Sequence, residues 1–325
     1  MPIPELTGIS VTVTGGAGFI GSHIVEGLVS RGAKVTVLDD FSTGLESNLA
    51  AVRSEIRLVR GDIRSADDCR DAVAGATFVF HEAALGSVPR SMKNPVTTID
   101  VNVCGTATVF AVCREANVCR VVYASSSSVY GDSETLPKRE GEEGRPLSPY
   151  ALSKVMNEQL ADVFGRCFGM QFIGLRYFNV FGPRQSPEGP YAAVVPRFFA
   201  AVRADQSPIV FGDGLQSRDF TYVKDVVEAN LLAAGAGVDS CGRALNVAPG
   251  GTTTIRELAQ EIIALHGLQL DLDYRPPRPG DVLHSQADAS QARIFLGFES
   301  RSALRDGLRQ VFEEEATAPR AHEKA

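Results

Sequence analysis

Residues 9 to about 130 constrain the chain most, because short β-branched runs alternate there with stretches of helix length. The runs are ISVTVTG, AKVTVLDD, EIRLVRGD, ATFVFHEAA and CRVVYASSS. Continuous apolar runs of this kind belong to parallel strands covered on both faces, since a half-solvated strand would alternate apolar with polar residues. The expected class is therefore α/β, with a doubly wound parallel sheet. After Gly131 the pattern changes to a Gly/Glu/Pro-rich loop through Leu147, a helix over Pro149 to Phe168, a strand at FIGLRYFNV, and the loops FGPRQSPEGP and RPPRPGD. A further helix is expected over Thr253 to His266, with Thr252 or Thr253 as cap, Ile255, Leu258, Ile262 and Leu265 on one face, and Gly267 as its end. This divides the chain into a first domain over 1–178, a smaller C-terminal lobe over 179–315 that the chain may cross into and out of, and a frayed tail over 316–325.

Gly15, Gly18 and Gly21 stand in TGGAGFIGSH, directly after the first strand and at the start of a helix. Without β-carbons the backbone can turn tightly and approach a pyrophosphate at the positive helix end. Three spaced glycines alone are a weak signal. Asp39 strengthens it, because it ends the second strand 18 residues after Gly21, close to the spacing of a carboxylate that accepts from an adenosine ribose. Asp39 and Asp40 would repel a 2′-phosphate, and Lys34 is the one nearby base before them, so NAD is favoured over NADP. Asp62, in RGDIR after the third strand, is placed to contact adenine or simply to form a turn.

Other classes of function fit less well. The formal net charge is -7, against a nucleic-acid surface, which needs clustered Lys and Arg. No run looks like a membrane span and Met1 to Gly8 lack the features of a signal peptide, so the expectation is a cytosolic protein. The six cysteines show no CxxC and no zinc spacing, and the five histidines form no metal pattern, so reduced packing cysteines and no metal are expected. His81, at a strand end, reads as a hydrogen-bonded packing residue.

Tyr150 and Lys154 lie four apart in SPYALSKVMNEQ and so share one helix face. A phenol with a pKa near 10 must fall to roughly 7 to act as a base, a change of about 4 kcal/mol. An ammonium about 4 Å away is worth a comparable amount at an effective dielectric of ~20. A lysine together with a positive nicotinamide ring could supply it. YxxxK alone is commonly just a helix surface, but here it follows a Gly-rich turn and a serine run, Ser125 to Ser128, at a strand end where ligands of such sheets bind.

With these elements in this order the chain resembles the short-chain dehydrogenase/reductases over nearly its whole length. The resemblance implies a Rossmann-type first domain in which Ser126 shares a hydrogen bond with a sugar hydroxyl, Tyr150 takes its proton, and Lys154 holds the nicotinamide ribose. It also implies NAD contacts at Gly15, Gly18, Phe19, Ile20, Gly21, Asp39, Asp40, Ser42, Thr43, Gly44, Asp62, Ile63, Ala83, Ala84 and Tyr177.

The strings HEAALGSVPRS, SSSSVYGD, LRYFNVFGPRQ, GDGLQSRDFTYV and RPGD resemble the UDP-hexose 4-epimerases of the extended branch. By that resemblance the substrate lies against Ser87, Arg90, Ser126, Ser127, Ser128, Tyr150, Asn179, Ala193, Val194 and Val210, with Arg218 and Arg278 on the diphosphate and Asp281 on the uridine ribose. Arginine suits the diphosphate because its planar fork donates two hydrogen bonds. The loop with YAAVVPRF is most similar to epimerases that accept N-acetylhexosamines, and Ser285 stands where a bulky tyrosine confines related enzymes to UDP-glucose and UDP-galactose. Dehydratases of the branch carry an Asp-Glu pair where this chain has Ser127 and Ser128. Relatives acting on uronic acids often carry an arginine where this chain has Ser186, although Arg90 or Arg184 could replace it. A homodimer built on helices near Val101–Ala116 and Pro149–Phe168 is the expected assembly. Two other readings share the cofactor residues: a uronate epimerase or dehydratase, and a non-catalytic NAD sensor, which would not need Ser126, Tyr150 and Lys154 together.

Overall fold

The computed structural model describes residues 5–187, 192–277 and 283–317. Strands β1 (Ser10–Thr14), β2 (Lys34–Asp39), β3 (Ile56–Arg60), β4 (Phe78–His81), β5 (Arg120–Ser126) and β6 (Gln171–Tyr177) form one sheet with a further strand, Arg243–Val247. All pairings in it are parallel, in the order Arg243–Val247, β6, β5, β4, β1, β2, β3. Each of the first five runs read from the sequence becomes one of these strands. The order reverses between β1 and β4, which leaves a crevice beyond their carboxyl ends, the usual ligand site of such a sheet.

Helices cover both faces, which is why the strands need no polar side. On one face α1 (Phe19–Val29) packs with the later helix Val223–Gly235 over Val11, Val13, Val35 and Val37. On the other, α2 (Ala66–Val73) adjoins the long helices described next, over Val79, Val121 and Tyr123. Each aliphatic side chain fully removed from water here contributes about 1.5–3 kcal/mol before entropy is counted.

The stretch expected as one helix over Val101–Ala116 starts earlier and is not uniform. After a short α3 (Val88–Lys93), α4 (Pro95–Ile99) passes through a π-helical segment, Asp100–Gly105, into α5 (Thr106–Glu115). Pro95–Glu115 is long and apolar enough to cross a membrane by length and composition, a feature the sequence reading passed over. Half of that window is buried inside the protein, and Asp100 within it pairs with Arg64 at 2.6 Å, which suits a helix of a folded core. α6 (Pro149–Phe168) has the bounds expected from sequence: the Ser148 hydroxyl accepts from the Ala151 amide at 3.1 Å, Pro149 opens the first turn, and Gly169 ends it at φ +70°.

The C-terminal lobe gathers Phe181, Val195, Phe198, Phe199, Val210, Leu258 and Ile262 around α7 (Val194–Arg203) and the helix Ile255–Leu265. That last helix starts later than expected. Thr253 and Thr254 first pair with Ser217–Arg218 as a short antiparallel strand, so Thr254 rather than Thr252 or Thr253 is the cap, in a capping box with Glu257. Gly267 follows its end at φ +67°. The boundary at 178 is crossed: Val223–Gly235 and Arg243–Val247 return to the first domain, one against α1 and the other beside β6. Residues 316 and 317 of the expected tail complete the helix Leu304–Thr317, and the rest lies outside the described residues.

Candidate active site

A cleft of ≈ 300 Å³ opens at the carboxyl ends of β1, β2, β4 and β5. Its floor is the turn between β1 and α1. Gly15 has φ +69°, and a β-carbon there would stand 2.6 Å from the Ala83 amide nitrogen. A β-carbon on Gly21 would lie 2.2 Å from the Gly15 carbonyl oxygen. The cradle therefore exists only because these residues lack side chains. No acid stands in the first turn of α1 and no side chain caps it, so its positive end faces the cleft. These are the features a dinucleotide pyrophosphate requires.

Asp39 ends β2 at the rim. Its Oδ2 accepts from the Ala17 amide at 2.9 Å and its Oδ1 from Phe41 at 2.8 Å, so the carboxylate also locks the glycine turn. Burial pushes its pKa up, and the two backbone hydrogen bonds offset this in part. The Asp62 carboxylate is gripped by Arg64, whose hydrogen bonds hold it below the ordinary range. Phe19, Ile20, Asp40, Ser42, Thr43, Ile63, Ala83, Ala84 and Tyr177 line the cleft with Gly18, Tyr150 and Lys154. Gly44 does not. It packs behind the wall, where a β-carbon would come within 3.0 Å of Asp39 and Ala17.

At the opposite end from Asp62, α6 brings Tyr150 over the end of β5. Ser126 lies beside Tyr150, close enough to lower its pKa, and its Oγ accepts from the Ser128 amide at 3.2 Å and so caps the short 3-10 turn Ser127–Tyr130. The Ser128 hydroxyl is buried with no hydrogen-bond partner, a donor left for a ligand to satisfy. Lys154 is buried and donates to the Ala124 carbonyl at 2.8 Å. The nitrogen lies 5.9 Å from the Tyr150 ring centroid. Burial lowers its pKa to about 8, with Glu82 and Glu158 opposing. For Tyr150, burial raises the pKa, the Ser126 bond lowers it, and Glu82 raises it again. Burial thus favours the neutral phenol. His81 is spent on structure: its ring bridges Thr14 at 2.7 Å and Thr106 at 2.9 Å, and burial drives its pKa to about 3.

A second cleft of ≈ 170 Å³ lies in the C-terminal lobe. Asn179, Val194 and Arg218 line it, and Arg218 also donates to the Ser217 and Leu283 carbonyls. Asn179 is fixed at φ +34° with its amide donating to the Asp219 carbonyl at 3.1 Å. Val210 does not present its side chain here. It is fully buried in the lobe core, while its strand neighbours Ile209 and Phe211 face the cleft, as the two-residue period of a strand dictates. Ala193 caps α7 and is exposed, outside the lining. Ser87 caps α3 by accepting from the Arg90 amide at 3.2 Å, so both sit on one turn. Ser285 is tied by its amide to the Ser217 carbonyl at 3.1 Å, next to Arg218. Arg278 and Asp281 lie outside the described residues.

Several lining residues went unnamed in the sequence reading. Arg197 and Phe198 follow Val194 by one helical turn, a spacing that would have indicated them. Glu82 sits between His81 and the expected Ala83 in the first cleft.

Comparison with known proteins agrees with this geometry. The family described as "NAD dependent epimerase/dehydratase family" matches residues 11–248. A putative UDP-glucose 4-epimerase of Methanocaldococcus jannaschii is 38% identical over 303 residues, 93% of this chain and 96% of the relative. Among solved structures, a UDP-N-acetylglucosamine 4-epimerase from Methanobrevibacter ruminantium in complex with UDP-N-acetylmuramic acid has a TM-score of 0.90 at 38% identity, covering 95% of this chain and 99% of that one. A Thermus thermophilus UDP-glucose 4-epimerase in complex with NAD has a TM-score of 0.86 at 35% identity, covering 96% and 100%. A turn with no room for a β-carbon at Gly15 or Gly21, an aspartate at the end of β2, and a Ser-Tyr-Lys set at the end of β5 have the same explanation as these likenesses: the chain belongs to the NAD-dependent epimerase/dehydratase family, in the extended branch of the short-chain dehydrogenase/reductases.

Proposed function

We propose that this chain is a UDP-sugar 4-epimerase that interconverts UDP-N-acetylglucosamine and UDP-N-acetylgalactosamine, with UDP-glucose and UDP-galactose as further substrates. The observation that carries the reading is the placement of Ser126 beside Tyr150, which with Lys154 lines the cofactor cleft, and next to the unpartnered Ser128 hydroxyl. NAD, when bound, supplies a hydride acceptor at carbon 4 of the sugar and a positive charge beside Tyr150. Ser126 holds the sugar 4-hydroxyl against the Tyr150 oxygen, and Tyr150 takes its proton. The 4-keto sugar then turns about its diphosphate, and Tyr150 gives the proton back once the opposite face is presented. Lys154, pinned by the Ala124 carbonyl, holds the ribose end.

Asn179 and Arg218 would anchor the nucleotide in the second cleft, leaving the hexose free to turn. Serines at 127 and 128 offer no acid for dehydration, which favours oxidation followed by reduction. The small Ser285 leaves room for a 2-acetamido group. A cytosolic homodimer belongs to the same proposal: all six cysteines are free, and Val96, Leu152, Val163 and Phe168 are exposed apolar residues on α4 and α6. Proton NMR of purified protein incubated with UDP-N-acetylglucosamine tests the substrate. The expected result is approach to a mixture with UDP-N-acetylgalactosamine without net NADH; conversion of UDP-glucose or UDP-glucuronate alone would overturn the N-acetyl assignment.

A further inference from the structure

One acid at the Tyr150 end of the cofactor cleft has no part in the steps above. Glu82 follows β4, and its Oε1 accepts a hydrogen bond from the Tyr177 hydroxyl at 2.8 Å. That hydroxyl accepts in turn from Nδ2 of Asn230 at 2.9 Å, and the same amide donates to the Val226 carbonyl at 2.9 Å. Asn230 is completely buried. The order of donors is therefore set: the Asn230 amide points at the phenol oxygen, the phenol proton points at Glu82, and Glu82 is the acceptor that a carboxylate must be. A chain of three polar residues at the wall of a cofactor cleft, buried at Tyr177 and Asn230 and part-buried at Glu82, requires a reason, since its groups lose hydration.

The charged and titratable groups around Glu82 come from each neighbouring element. α6 contributes the Lys154 ammonium and the Tyr150 phenol, β6 contributes Tyr177, the helix Val223–Gly235 contributes only the neutral Asn230, and β4 contributes the neutral His81. Of the acids lining the cleft among the described residues, Asp39, Asp40 and Asp62 stand at the adenosine end and Glu82 at the reacting end, while Glu158 acts on Lys154 from behind Ser125.

We propose that Glu82 is a positioning residue for charge, whose carboxylate makes the site prefer the cationic oxidised nicotinamide over the neutral reduced one. The sugar's oxidation is then held uphill, hydride return is favoured, and the enzyme does not come to rest with reduced cofactor after losing a keto sugar. Burial raises the Glu82 pKa to about 7, with the Tyr177 bond and Lys154 opposing, so the preference should grow as pH rises through neutrality and the carboxyl ionises. The same charge disfavours the Tyr150 phenolate, a cost offset by the tighter hold on the oxidised ring.

The inference rests on the cofactor site and not on the identity of the sugar, and its test needs no substrate. Dissociation constants for NAD⁺ and NADH are measured on cofactor-stripped protein by calorimetry between pH 6 and 9, for the unaltered chain, Glu82→Gln and Glu82→Asp. Glutamine keeps the shape and the acceptor for Tyr177 but not the charge. The expected result is a shift of the NAD⁺:NADH preference toward NADH by about tenfold in Glu82→Gln, about 1.4 kcal/mol, with its pH dependence flattened. Glu82→Asp should retain the pH-dependent preference. An unchanged ratio in Glu82→Gln overturns the proposal, and so does an equal loss in Glu82→Asp, which would assign the effect to packing.

Discussion

Replacing Gly21 with alanine should weaken NAD binding and the fold together, because the new β-carbon meets backbone and not a side chain that can move aside. It would lie 2.2 Å from the Gly15 carbonyl oxygen and 2.9 Å from the Gly16 α-carbon. Ordinary contact begins near 3.4 Å, so α1 has to withdraw from the glycine turn by about 1.2 Å, the difference between 3.4 and 2.2 Å. Overpacking of this kind costs about 1–3 kcal/mol. The strained turn is also the pyrophosphate cradle, so if binding NAD must restore the original geometry the dissociation constant rises by about 5- to 150-fold. The melting temperature should drop by roughly 2–4 °C per kcal/mol. Calorimetry with NAD on stripped protein, alongside thermal melts, reads both effects. Gly237→Ala serves as control, since a β-carbon there meets nothing within 4 Å and φ is -63°. Unaltered NAD affinity and melting temperature in Gly21→Ala would refute the cradle.

Tyr150→Phe removes only the hydroxyl that meets Ser126, and turnover should fall by roughly 10² or more while NAD binding persists; an active variant would mean that the proton moves elsewhere. Ser285→Tyr should abolish epimerisation of the N-acetylated sugar by steric exclusion and spare some UDP-galactose turnover, read by NMR; an unchanged rate would remove Ser285 from the pocket wall. Arg176→Met should cost about 3–5 kcal/mol at neutral pH, because it strands Glu158 and Glu143 in a poorly hydrated site. Denaturant melts should show that loss shrinking toward pH 5 as the Glu143 carboxyl, no longer held low by Arg176, takes up a proton, and a loss independent of pH would argue against the ionic account.

The parts of the fold that were legible in the sequence are those whose physics is local. Five β-branched runs each made a strand because burial on both faces demands unbroken apolar residues. Pro149 to Phe168 had its serine cap, its proline and its terminal glycine adjacent in sequence. The glycine spacing gave the cofactor cradle for a similar reason, since a missing β-carbon is visible in sequence. What escaped depends on contacts far along the chain. RALNV joined the sheet only because β6 offered it a free edge, and Thr254 became a cap only because its neighbour pairs with Arg218. Val210 turned inward because the strand register sends alternate residues to opposite faces, and the resemblance that suggested it carried no register. The role of Glu82 depends on Tyr177 and Asn230, which lie 95 and 148 residues away in sequence.

The central claim is that hydride leaves carbon 4 and returns to the same carbon without leaving the protein. UDP-N-acetylglucosamine carrying deuterium at carbon 4, incubated in ordinary water and followed by mass spectrometry and proton NMR, tests it directly. Retention of the deuterium at carbon 4 in both epimers throughout the approach to equilibrium is the predicted result, and loss of the label to solvent during epimerisation would contradict it.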